Sequence, residues 1–172
     1  EESFQVCDDL AVAYYFMGNS YSAESDVAYQ KSLKNNFDNN DEKASDAVLL
    51  LEKAIPMWIR YADIKPKQAW MVIYLLKDAL FALDRYSEFE DVLKQIIKND
   101  SNNIEAIASL SEMLSHRGEE LEAIELIESA IEQDPSSLLV KLIKLKHVAK
   151  KEKGSNNNII TNLDEIIHFL VK

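Results

Sequence analysis

The chain has 172 residues with only 3 Gly and 3 Pro, too few turn-formers for the many tight turns of a β-sandwich, barrel or propeller. Its hydrophobic share of 47% is that of a folded protein, which excludes disorder throughout. A formal net charge of −11 repels phosphate backbones and anionic lipid heads, so nucleic acid is not an expected partner.

Apolar residues recur at three-and-four spacing through nearly every segment, which predicts an all-α chain of about nine helices. Breaks are expected near Asn19 to Tyr21, Asn35 to Asp41, Lys65 to Lys67, Asp84 to Ser87, Asn99 to Asn102, Arg117 to Gly118, Asp134 to Ser136 and Lys153 to Asn158. Loops this short join antiparallel helix hairpins. Pro66 and Pro135 cannot continue a helix, and Gly118 and Gly154 can take the left-handed turn that closes one. Ser101, Ser136 and Ser155 are the expected N-caps. The stretches NNFDNND at 35–41 and KGSNNN at 153–158 read as mobile connections.

In chain order, a first unit at about 6–39 carries Val12, Ala13 and Phe16 and then Ser25, Tyr29, Ser32 and Leu33. Residues 42–69 form a degenerate unit, in which 42–64 read as one long helix or two short ones broken before Pro56. Units at 70–103 and 104–137 follow, and helices at 137–149 and 159–171 make a last pair within 138–172. An offset of 34 residues sets Ile73 on Ile107, Leu76 on Leu110, Leu80 on Leu114, Leu93 on Ile127 and Ser101 on Pro135. In the unit at 104–137, Ser111, Ala123 and Ala130 are small where two helix backbones must approach closely. The unit at 70–103 has Lys77, Phe89 and Ile96 at those places, which predicts looser packing or another angle.

This period and wording resemble the tetratricopeptide repeat. The resemblance implies a right-handed superhelical solenoid of antiparallel hairpins whose first helices line a concave, partner-binding face. Carried onto this sequence, the pattern puts Leu10, Tyr14 and Met17, then Tyr74, Asp78 and Phe81, then Ala108, Glu112, Ser115 and His116 on that face. Asp78 and Glu112 would favour a basic or neutral protein partner. The stretches ALDRYSEFEDVLKQIIKND at 82–100, SHRGEELEAIELIESAIEQDPSSLLVKLIKL at 115–145 and the terminal HFLVK also resemble the lipopolysaccharide assembly protein B family. That likeness implies an adaptor on the cytoplasmic face of a bacterial inner membrane. Such an adaptor presents the lipid A deacetylase LpxC to the membrane protease FtsH. It also implies an N-terminal membrane anchor and a C-terminal zinc ribbon outside this chain, which begins at Glu1 and is expected to be a piece of a longer protein.

No catalytic, metal or cofactor site is expected. His116, His147 and His168 lack the three- or four-residue spacing of a helical ligand pair and read as solvated. Cys7 reads as a buried inert thiol in a reducing compartment. Glu119, Glu120, Glu122 and Glu125 read as a solvated face. Lys141, Lys144, Lys146, Lys150, Lys151 and Lys153 make a basic patch, also read as solvated, with docking to an acidic partner or membrane surface as the alternative. Tyr14, Tyr15, Phe16, Trp58, Tyr61, Trp70, Tyr74 and Phe81 recur at helical spacing, which points to core for most of them. The chain is expected to work as a non-enzymatic protein-binding scaffold, with a recognition subunit of an enzyme assembly as the alternative and end-to-end pairing of two copies left open.

Overall fold

The structure is a computed structural model that describes residues 2–34, 40–133, 135, 138–151, 163, 166 and 167. Its helices are α1 (Glu2–Lys34), α2 (Asn40–Ile64), α3 (Trp70–Ala82), α4 (Tyr86–Asn99), α5 (Ile104–His116), α6 (Glu120–Gln133) and α7 (Leu138–Lys151), with a 3-10 turn at Pro66–Gln68. There is no strand among the described residues, so they are all-α. The helix expected at 159–171, the linker at 153–158 and the caps Ser136 and Ser155 lie largely outside the described residues. Contacts divide the chain into two compact units, Glu1–Val92 and Leu93–Lys172, with the boundary inside α4.

In the first unit, α1 runs unbroken through Asn19 to Tyr21, where a break is expected. The reason lies in a seam of small residues. Ala11, Gly18, Ser25 and Ser32 recur every seventh position and are all buried, as are Ala47, Ala54 and Tyr61 on α2. A seven-residue repeat keeps one stripe of a helix on its partner, and small side chains let the backbones come close. Contacts fix the register as antiparallel: Asp8 meets Lys65, Asn19 meets Trp58, and the Ser25 hydroxyl donates to the carbonyl of Ala47 at 2.7 Å.

Gly18 belongs to that seam and does not stop the helix. A Cβ at this position would fall 2.6 Å from Cδ1 and 2.9 Å from Cε2 of Trp58, so only glycine leaves room for the indole. The indole in turn donates its Nε1–H to Asn19 Oδ1 at 3.0 Å. Glycine inside a helix costs about 1 kcal/mol relative to alanine. Burying a side chain such as Trp58 or Ile55 returns roughly 1.5–3 kcal/mol each, so packing decides the outcome. The same balance carries α2 through Pro56 as one helix. The exposed proline removes a backbone donor, while Ala54, Ile55, Trp58, Tyr61 and Ala62 around it are buried.

α3 packs against α2 with Val72, Ile73, Leu76, Ala79 and Leu80 buried. Its end is closed by two hydrogen bonds, from Asp84 N–H to the Phe81 carbonyl at 3.1 Å and from Arg85 N–H to the Leu80 carbonyl at 2.8 Å. This is the Schellman arrangement, and Asp84 adopts the left-handed φ of 55° that it requires. The first half of α4 then brings Phe89, fully buried, edge-on to Phe81 with ring centroids 5.6 Å apart. Phe89 and, farther along, Ile96 are core residues, so bulk at these positions is absorbed without exposing them.

In the second unit, Ile107, Ile127, Ala130, Val140 and Ile143 form a cluster on which Ile97, Ile104, Ala108, Leu126, Ile131 and Ile167 pack. Ser111, Ala123 and Ala130 are buried, as their small size predicts. α5 begins at Asn103, whose side chain accepts from Ala106 N–H at 3.1 Å; this residue, and not Ser101, is the N-cap. α5 ends at Gly118, φ 84°, with Gly118 N–H bonded to the Ser115 carbonyl at 3.0 Å and Glu119 N–H to that of Leu114 at 2.9 Å.

Candidate partner-binding groove

The first unit carries a groove of about 530 Å³ built from three helices. α1 supplies Ser22, Ser25, Asp26 and Tyr29 along one face; α2 supplies Ala47, Val48, Leu51 and Trp58; α3 supplies Leu75, Asp78, Ala79 and Ala82, with Leu83 just beyond its end. The buried members Ala47, Trp58 and Ala79 make its floor, while Asp26, Tyr29, Val48, Asp78 and Ala82 are exposed along its edges. Contacts between helices hold the floor in place: Trp58 is wedged over Gly18 and hydrogen-bonded to Asn19, and Ser25 is hydrogen-bonded to Ala47. Such a volume lies within the range of about 300–1,000 Å³ typical of ligand clefts, and its lining is mainly apolar with a few polar groups. Neither Asp26 nor Asp78 has a hydrogen-bond or ion-pair partner among the described residues.

Of the residues expected on a concave face, Asp78 lines this groove. Tyr74, one turn before it, is 48% exposed, and Leu10 and Met17 on α1 are also exposed. Tyr14 is half-buried, and Phe81 packs between Tyr86 and Phe89 with Lys77 Nζ 5.7 Å from its ring centroid. In the second unit His116 is exposed, Ala108 packs on the core cluster, and Glu112 pairs with Lys146 at 3.5 Å. Ser115 is buried and hydrogen-bonded to Glu120 Oε1. The aromatics divide: Trp58 and Tyr61 are core, whereas Phe16, Trp70 and Tyr74 are exposed, so the expectation that most are core is too broad. Burial pushes the Tyr61 phenol above its ordinary 10.0, nearby Tyr15 adds to this, and Lys65 opposes it. A hydrogen bond to Asp84 raises the Tyr86 phenol in the same direction.

His147, read as solvated, is buried, and this corrects the sequence expectation. Its Nδ1 lies 3.0 Å from Glu120 Oε2 and its Nε2 lies 3.3 Å from Ser111 Oγ, while the Ser111 hydroxyl sits 2.8 Å from the Ala108 carbonyl. An ionised carboxylate only accepts, so Nδ1 carries the proton shared with Glu120. The signal was present in α7, where Val140, Ile143 and His147 occupy one buried stripe at helical spacing. Glu120 likewise leaves the solvated face to join α5 and α7 through Ser115 and His147. A serine, histidine and carboxylate in line have the composition of a hydrolase triad. Ser111 is fully buried, however, and no substrate carbonyl can reach its Oγ in this arrangement.

The basic patch is partly neutralised, with Lys144 paired to Glu128 at 2.7 Å and Lys146 to Glu112. The side chains of Cys7, Lys150 and Lys151, together with Lys153 and His168, lie outside the described residues. Among the described residues no three His, Cys, Asp or Glu side chains are grouped to hold a metal, and no helix is long and apolar enough to cross a membrane. No protein-family model matches the chain, and no curated protein matches it.

Proposed function

We propose that this chain is a non-catalytic protein-binding scaffold built from stacked helix hairpins of the tetratricopeptide kind. The observation that carries the reading is the groove of the first unit, which combines an apolar floor set by Trp58 with two acids that have no partner among the described residues. Exposed Tyr74, Trp70 and Phe16 add aromatic surface of the sort that anchors protein interfaces. The repeat of one turn geometry at Asp84 and Gly118 supports hairpins of equal length, the arrangement that a right-handed solenoid stacks.

The test is photo-crosslinking in living cells with the full parent protein. A photoreactive residue replaces Val48, Tyr74 or Leu10, and captured proteins are then reconstituted pure with the chain. The scaffold reading expects one protein to be captured from Val48 or Tyr74 and to bind the purified chain. It is overturned if no protein captured from any of the three positions binds on reconstitution.

A further inference from the structure

We propose that the groove of the first unit is a seat for a basic amphipathic helix from a partner protein, which lies along α2 between α1 and α3. The inference rests on the scaffold reading and adds the partner's chemistry. α1 and α3 both pack on α2, and the residues that each turns to the groove, Ser22 to Tyr29 and Leu75, Asp78, Ala82 and Leu83, form two walls over a floor of Ala47, Trp58 and Ala79. A slot with three helical sides is filled by a fourth helix whose apolar face meets the floor. Ser22, Ser25, Asp26 and Tyr29 share one face of α1 over about two turns, or roughly 11 Å, so two or three anchor side chains at helical spacing fill the slot.

Charge selects the class of helix. Asp26 and Asp78 come from opposite walls, are exposed, and have no cationic partner among the described residues, of which no lysine or arginine lines the groove. An incoming helix with Lys or Arg flanking its apolar stripe neutralises both carboxylates, whereas an acidic helix meets two like charges and the field of a chain of net charge −11. Polar Ser22 and the Tyr29 edge give the cationic side chains further oxygen acceptors.

The experiment titrates the full chain, by NMR and calorimetry, with capped amphipathic peptides of about 18 residues, long enough to hold a helix. One peptide is made of Leu and Lys, one of Leu and Glu, and one of Ser and Lys with the charge but no apolar stripe. The Leu/Lys peptide is expected to shift the Trp58 indole and the amides of Val48, Asp78 and Ala82. Its affinity should fall about tenfold in the Asp26→Asn, Asp78→Asn double variant and be lost in Val48→Glu. These changes lie at exposed positions, and an unchanged circular dichroism spectrum checks the fold. The Leu/Glu and Ser/Lys peptides should leave Trp58 unmoved.

Equal binding of the Ser/Lys peptide, or an unchanged affinity in the double variant, overturns the assignment as diffuse charge attraction. A peptide-free dimer that Val48→Glu dissociates gives the groove to a second copy and also overturns it. If the Leu/Lys peptide leaves Trp58 unmoved while a reconstituted protein crosslinks at Val48, Tyr74 or Leu10, the seat falls and the scaffold stands. If neither occurs, both fall.

Discussion

Asp84 and Gly118, 34 residues apart, close α3 and α5 in the same way. Both take a left-handed φ, 55° and 84°, and the residue after each donates to the carbonyl four residues before each, Leu80 for Arg85 and Leu114 for Glu119. The side chains differ, yet the backbone requirement is identical, so the period is written in conformation as well as in apolar spacing. At 118 glycine meets it freely; at 84 an aspartate pays a steric cost.

Asp84→Gly is therefore expected to stabilise the first unit by a few tenths to about 1 kcal/mol, even with loss of the exposed bond from Tyr86 Oη to Asp84 Oδ1. Gly118→Ala should cost about 1 kcal/mol from backbone strain alone, because a Cβ there meets nothing within 4 Å. Urea unfolding of the two variants measures both, and a stabilising Gly118→Ala would contradict the account.

Gly18→Ala should destabilise by about 1–3 kcal/mol despite the better helix propensity of alanine, because its methyl displaces the Trp58 indole. Combined with Trp58→Leu, the same substitution should cost much less than the sum of the two, since the second change empties the space that the first needs. A double-mutant cycle from chemical denaturation reads this coupling; strict additivity would show that the contact does not constrain the helices.

Glu120→Ala removes a hydrogen-bond partner of both Ser115 and His147 at a buried site, with an expected cost of about 1–3 kcal/mol. His147→Leu, which removes a buried polar ring in favour of an apolar side chain, should recover part of that cost in the Glu120→Ala background. Thermal unfolding of the single and double variants checks this, and no recovery would mean that His147 has other polar ties of equal weight.

Stability should fall as pH rises above about 10. The Tyr61 phenol is held above 10.0 in the fold mainly by burial, so the unfolded chain loses its proton first. The contribution is complete below the unfolded value and disappears as pH passes the raised folded value. Tyr86 adds in the same direction through Asp84. Unfolding at pH 9 to 11 should show a shallower decline for Tyr61→Phe, and an unchanged slope would contradict this cause.

Sequence alone makes the helix type, the stops at Pro66 and Gly118 and the small positions Ser111, Ala123 and Ala130 legible, because each depends on neighbours within a turn or two. Gly18 is ambiguous by nature: glycine ends helices and also lets them touch, and only Trp58, forty residues on, decides which. A seven-residue ladder from Ala11 to Ser32 carries that information, though it shows only when α1 is read as one element. His147 lies on a periodic stripe but among lysines, so its charge neighbours mask its burial. The groove is not legible, since Asp26, Leu51 and Asp78 converge only through packing of three helices.

Hydrogen–deuterium exchange of the full chain with its purified crosslinked partner tests whether that partner seats in the first unit. Added protection should concentrate in peptides covering 22–29, 47–58 and 75–83. Protection confined to α5, α6 and α7, or none at saturation, would contradict it.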